Sequence, residues 1–170
     1  KHLKHQKLLL QMNKVILIGK AAAGKDHMRK VLEGRGFKYG TSYTTRPPRP
    51  GEIDGQDYYF IDEATFLDWA EKKKWYEYVQ FNGWYYGTTI EQFHKDCNLF
   101  VMTPHGVNAI HPIDRKKCTI IYLDIPLEIR RKRLEERGDI NDKIERRIAA
   151  DEKDFENFSD YDIIVNNPNF

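Results

Sequence analysis

Gly19-Lys20-Ala21-Ala22-Ala23-Gly24-Lys25 is the stretch on which the reading of this chain turns. It follows an apolar run, Val15-Ile16-Leu17-Ile18, and precedes a helix-like segment from Asp26 to Glu33. Strand, glycine loop, lysine and helix in that order give G-x-x-x-x-G-K the meaning of a phosphate-binding loop. The glycines let the backbone wrap an anion without Cβ clashes. Loop N–H groups and the helix N-terminus then face the phosphate, and Lys25 adds a compact positive charge.

Working outward, Lys14–Ile18 is continuously apolar, the pattern of a strand buried on both faces. The helix that begins near Lys25 meets a stop at Gly34 or Gly36. Residues 41–60 are rich in proline and glycine and read as loop, closing into Tyr58-Tyr59-Phe60. Asp62 is placed to cap a helix over Glu63–Lys73. Asn82-Gly83 between Tyr76–Phe81 and Trp84-Tyr85-Tyr86 predicts a β-hairpin. A helix near Thr89–Lys95 and strands at Leu99–Met102 and Cys118–Leu123 follow. Pro126 opens a basic helix ending at Arg137-Gly138, an amphipathic helix covers Asn141–Phe155, and Ile163-Ile164-Val165 is the last strand. Alternating strands and helices predict an α/β fold. Its core has three layers around a parallel sheet, and residues 42–88 form a small inserted lobe of mixed or antiparallel strands.

The bulk numbers suit one globular domain. The chain has 170 residues, 40% of them apolar and 13% aromatic, which argues against disorder. A net charge of +2 gives no global electrostatic case for nucleic acid. Cys97 and Cys118 fit no metal or redox spacing and read as thiols of a reducing, cytoplasmic compartment. No apolar run approaches the ~20 residues needed to span a membrane. Residues 1–11 are basic and acid-free and read as a leader before Met12 or, alternatively, a short transit peptide.

Three further segments sharpen the phosphate loop. They are Ser42-Tyr43-Thr44-Thr45-Arg46-Pro47-Pro48-Arg49-Pro50-Gly51-Glu52, followed by Gly55-Gln56-Asp57-Tyr58-Tyr59-Phe60; Glu77 with Asn82-Gly83-Trp84-Tyr85-Tyr86-Gly87-Thr88; and Arg133-Leu134-Glu135-Glu136-Arg137-Gly138 with Arg146-Arg147 downstream. In this order, from about Lys14 to Asn166, the set resembles guanylate kinase. The resemblance implies phosphoryl transfer from ATP to GMP or dGMP with Mg²⁺, in a core (12–41 and 89–170) bearing a nucleoside monophosphate lobe (42–88) and a helical lid (about 133–147). It implies ATP and GMP or dGMP as partners, with no nucleic acid and no membrane.

The residue chemistry agrees with that implication. Arg46 and Arg49 are guanidinium forks suited to gripping a phosphate, with prolines limiting the backbone around them. Tyr58 and Tyr86 are matched by the resemblance to the same phosphate, and Tyr59 and Tyr85 must then face the other way. Guanine presents two adjacent donors that one carboxylate can accept, and the resemblance assigns this to Glu77, with Ser42, Thr88 and Thr103 nearby. It assigns Gly19, Ala22, Ala23, Gly24, Lys25, Asp26 and Asn166 to ATP. Arg133, Arg137 and Arg147 are matched to the lid that clamps the transferring phosphoryl, and Arg137 could instead stack on adenine. Arg130, Arg131 and Arg146 are expected on a solvated face. No general base is needed, because the acceptor phosphate is ionised near pH 7, its second pKa being about 6.

Three departures stand out. Asp26 replaces the hydroxyl residue that usually follows the loop lysine, and is expected to ligate Mg²⁺ itself. Val101 and Thr103 stand where the family has two aspartates. The family's last helix has no counterpart before Phe170. Two other readings stay open: a (deoxy)nucleoside monophosphate kinase of another base preference, and a non-catalytic guanylate-kinase-like binding module.

Overall fold

A computed structural model describes residues 13–138 and 141–170. The expected leader and two residues of the expected lid, 139–140, lie outside the described residues. In chain order the elements are β1 (Lys14–Gly19), α1 (Lys25–Gly34), β2 (Tyr43–Thr44), β3 (Tyr59–Phe60), α2 (Glu63–Glu71), β4 (Trp75–Phe81), β5 (Trp84–Thr89), a π-helical turn (Gln92–Asp96), β6 (Leu99–Val101), α3 (Pro104–Asn108), α4 (Pro112–Arg115), β7 (Cys118–Leu123), α5 (Leu127–Glu136), α6 (Asn141–Phe155) and β8 (Ile163–Val165).

β1 sits inside a parallel sheet of order β6-β1-β7-β8. Side chains alternate across a strand, so β1 feeds two cores. Ile16 and Ile18 meet Phe100, Ile120 and Tyr122 on one face, covered by Phe93 of the π-helical turn, Val107 of α3 and Phe155 of α6. Val15 and Leu17 face the other way, where Met28 and Leu32 of α1 cover them. Leu123 of β7 and Ile129 of α5 extend this second layer. Burial on both faces explains why β1 is apolar without a break. The result is the expected three-layer α/β arrangement.

A second sheet has the order β3-β2-β5-β4. β2 runs parallel to β3 and antiparallel to β5. The β4–β5 hairpin turns on Asn82 and Gly83 with φ of 50° and 78°, the left-handed pair that a two-residue turn needs. Asp62 caps α2 by accepting from Thr65 N–H at 2.7 Å. That helix stops at Glu71, short of the expected Lys73, which turns out with a φ of 53°.

β4 carries a bulge: Trp75 pairs with Thr89, but Glu77 pairs with Thr88. Strict alternation would put Trp75 and Glu77 on one face. The extra residue instead lets Trp75 stack on Phe66 of α2 at 4.1 Å. Tyr76 stacks on Phe93 at 3.7 Å, while Glu77, Val79 and Phe81 line the cavity on the far side.

Residues 89–95 differ from expectation. β5 continues through Thr89, and the turn after it is π-helical, with buried Gln92 donating to Thr41 O at 2.7 Å and accepting from Thr89 N–H at 3.0 Å. α3 and α4 were not anticipated, although each begins with a proline behind a capping side chain, Thr103 or His111. Among the described residues no helix is long and apolar enough to cross a membrane.

Candidate active site

The β1–α1 loop has the geometry its residues demand. Gly24 holds φ at 98°, a left-handed conformation that favours glycine, and it lies beneath the tip of the Phe170 ring, which a side-chain carbon there would approach to 2.9 Å. Ala22 also takes a positive φ, 60°. Lys25 turns back over the loop, donating to Gly19 O at 2.5 Å and Lys20 O at 3.0 Å. Burial lowers the pKa of its ammonium to about 8; Asp151 pulls the other way, and Arg137 and Arg130 reinforce the fall.

Two cavities meet at this loop. The larger, about 750 Å³, is lined by Ala22, Ala23, Gly24 and Asp26 and by Arg133, Arg137 and Arg147. Arg49 reaches the same cavity from the segment after β2. The smaller, about 330 Å³, is lined by Gly19, Ser42, Glu77, Tyr86 and Thr103, with Val79 and Met102 as apolar wall. Ala21, Lys25, Tyr58, Phe81, Val101 and Asp151 border both, which makes them the junction.

Glu77 is a half-buried acid on the wall of the smaller cavity. Burial pushes its carboxyl up to about 7 against the hydrogen bonds it accepts from Thr88. Thr88 is itself buried and supports Glu77 from the neighbouring strand without bordering the cavity. Thr103 Oγ1 accepts from Gly106 N–H at 3.1 Å. Tyr59 stacks on Tyr43 at 4.7 Å and Tyr85 on Phe66 at 5.0 Å, on the side away from Tyr58 and Tyr86.

Several named residues stand differently from the expectation. Arg46 borders neither cavity: Glu52 takes both arms of its fork, at 3.0 and 2.8 Å, and Pro47 O takes a further bond at 2.9 Å. Glu52 also accepts from Arg49 N–H at 2.7 Å, which shapes the Arg46–Arg49 turn. Asn166 is exposed and borders neither cavity, because the chain beyond β8 brings Pro168 and Phe170 to the crevice instead. Asp26 faces the crevice, yet its carboxylate is bonded to Arg29 at 2.6 Å and Lys30 at 3.0 Å. Arg133 donates to Ala22 O at 3.0 Å and Pro168 O at 3.3 Å, tying α5 to the loop.

Arg130 corrects the expectation of a solvated face. Its side chain is 2% exposed, its Nε donates to Ile125 O at 3.0 Å, and Asp151 and Glu152 of α6 lie 3.8 and 3.5 Å away. The acids that draw it inward are on another helix, which local charge pattern does not reveal. Arg131 pairs at the surface with Glu145. Asp151 was also missed: its Oδ2 accepts from Ala21 N–H at 2.8 Å.

Comparison with known proteins places this arrangement among relatives. A family model described as guanylate kinase matches residues 11–170. A guanylate kinase of Thermus thermophilus is 33% identical over 159 residues, covering 89% of this chain and 72% of the relative. That of Sulfurimonas denitrificans is 33% identical over 168 residues, covering 91% and 80%. The crystal structure of guanylate kinase from Anaplasma phagocytophilum shares the fold with a TM-score of 0.68 at 23% identity, covering 94% of this chain and 79% of that one.

Proposed function

This chain belongs to the guanylate kinase family, and we propose that it transfers the γ-phosphoryl group of ATP to GMP or dGMP across the junction of the two cavities. The observation that carries this reading is the pairing of a lysine-bearing phosphate loop with a half-buried carboxylate in one continuous crevice, Lys25 bordering both halves and Glu77 lining the acceptor side. The phosphate loop takes the ATP phosphates in the larger cavity through the N–H groups of Ala22, Ala23, Gly24 and Lys25. Lys25 exchanges its bonds to Gly19 and Lys20 carbonyls for phosphate oxygens.

The smaller cavity takes the acceptor. Glu77 accepts the paired donors of guanine, with Ser42 and Thr103 beside it and Thr88 holding the carboxylate in place. Tyr58 and Tyr86 bring hydroxyl donors to the acceptor phosphate, joined by Arg49. Arg46 acts from behind by fixing the Arg49 turn through Glu52, and it reaches the phosphate only by releasing Glu52. Arg133, Arg137 and Arg147 converge on the donor cavity, where charge develops on the transferring group. Catalysis is alignment and electrostatics, with Tyr58 and Lys25 on the line of transfer.

A magnesium ion entering this crevice would meet a carboxylate beside the phosphate loop. Among the described residues no three metal-binding side chains converge. One carboxylate plus nucleotide phosphates and water is a common magnesium environment, and Asp26 is the acid beside Lys25 that lines the crevice. Asp26 would hold the ion, which would supply charge neutralisation on the phosphates.

The test is an acceptor panel of GMP, dGMP, AMP, CMP and dTMP with ATP and Mg²⁺. Turnover confined to the guanine nucleotides supports the assignment of Glu77. Preference for another base refutes it.

A further inference from the structure

Asp151 stands at the junction of the cavities, and nothing in the reaction outlined above requires it there. It lies one turn beyond Arg147 on α6, and its side chain is 20% exposed. Its Oδ2 accepts from the Ala21 amide at 2.8 Å. A phosphate seated on the next N–H groups of the loop, from Ala22 to Lys25, brings its charge up against this carboxylate. Two negative groups so close repel strongly where water is scarce.

The structure also supplies a second partner for the displaced carboxylate. Arg130 Nη1 lies 3.8 Å from Asp151 Oδ2. It is a buried guanidinium nitrogen with no hydrogen-bond partner among the described residues. A buried donor left without an acceptor is costly, so it favours any rearrangement that provides one. Closing that gap takes about an ångström of side-chain movement, given ordinary hydrogen-bond lengths. The neighbouring acid, Glu152, holds Lys20 of the same loop at 2.8 Å and lines neither cavity.

We propose that Asp151 is a two-position positioning residue: it holds the phosphate loop through the Ala21 amide, and ATP phosphate drives it onto Arg130. The inference rests on the reading of this loop as the ATP cradle. Asp151 therefore opposes ATP binding in its first position and stabilises the bound arrangement in its second. Because α6 also carries Arg147, the exchange links phosphate arrival to the helix that bears a lid arginine.

The experiment measures Mg·ATP and GMP dissociation constants by calorimetry, and kcat, for the full chain and the variants D151N, R130M, D151N/R130M and E152Q. D151N keeps an acceptor for the Ala21 amide and removes the competing charge, so it is expected to tighten Mg·ATP about tenfold with GMP affinity unchanged. R130M removes the second partner and weakens Mg·ATP about tenfold, and the double variant does not show that loss. D151N alone carries the test if R130M does not fold. A purely structural Asp151 would give weaker ATP binding and lower kcat together in D151N, which overturns the proposal. So does unchanged ATP affinity in D151N, or equal tightening in E152Q, which would make the effect one of general charge. If the unmodified chain fails to bind Mg·ATP, the loop reading and this inference fall together; if it binds and D151N behaves otherwise than expected, only the inference falls.

Discussion

Glu77 rests directly against Gly106. A side-chain carbon at Gly106 would come within 3.1 Å of Glu77 Oε2, tighter than an ordinary contact. The glycine of α3 therefore sets how far the acceptor carboxylate can retreat into the protein. Gly106→Ala should push Glu77 into the smaller cavity by a few tenths of an ångström. Misplacement on that scale is expected to raise the KM for GMP about tenfold while leaving the KM for ATP unchanged. Steady-state kinetics with each substrate varied separately checks this.

Glu77 also sets a pH dependence. Its carboxyl titrates near 7 because burial raises it. Only the ionised form accepts both guanine donors, so GMP affinity should fall as pH drops below 7. In Glu77→Gln this contribution vanishes, and the difference between the two pH profiles isolates it from titration of the GMP phosphate. The linkage to stability has the opposite sense. A carboxyl with a folded pKa above its unfolded value favours the fold at low pH and loses that contribution as pH rises through about 7. Glu77→Gln should thus melt higher than the unmodified protein at pH 8, with weaker GMP binding there.

Lys25→Met keeps the length of the side chain and removes its charge. With Lys25 bordering both cavities, the transferring phosphoryl loses its nearest fixed cation. The expected result is a fall in kcat of about 10³-fold. GMP binding, measured alone by calorimetry, should be unchanged.

Arg46 and Glu52 form a nearly buried pair, their side chains 10% and 19% exposed. Glu52→Gln leaves the guanidinium without its countercharge. Breaking such a pair should cost about 3 kcal/mol, read from urea unfolding. The same change loosens the turn that presents Arg49, so the KM for GMP should rise as well.

How far the chain could be read in advance depended on whether a signal was local. The loop from Gly19 to Lys25, the Asp62 cap and the Asn82-Gly83 turn are short-range devices whose chemistry is complete within a few residues, and each stands where the residues indicated. Arg46 and Glu52 were not legible as partners, because a phosphate-gripping fork and an ion-paired fork have the same sequence. Arg130 looked solvated for a similar reason: its acids lie on α6, 21 and 22 residues later in the chain. Asp151 carried no motif at all. Its meaning comes from the Ala21 amide, 130 residues earlier. Thr103 and His111 were legible as caps in front of prolines, a signal that went unused.

The bulge in β4 frees one residue from the ladder. Trp75 and Glu77 meet consecutive residues of β5, Thr89 and Thr88, so removing Tyr76 would leave those two side chains on opposite sides and strip away the ring stacked on Phe93 and the hydroxyl bonded to Asp114. The spare residue acts as a rivet, pinning the hairpin to the core of the parallel sheet while its neighbours keep their sides.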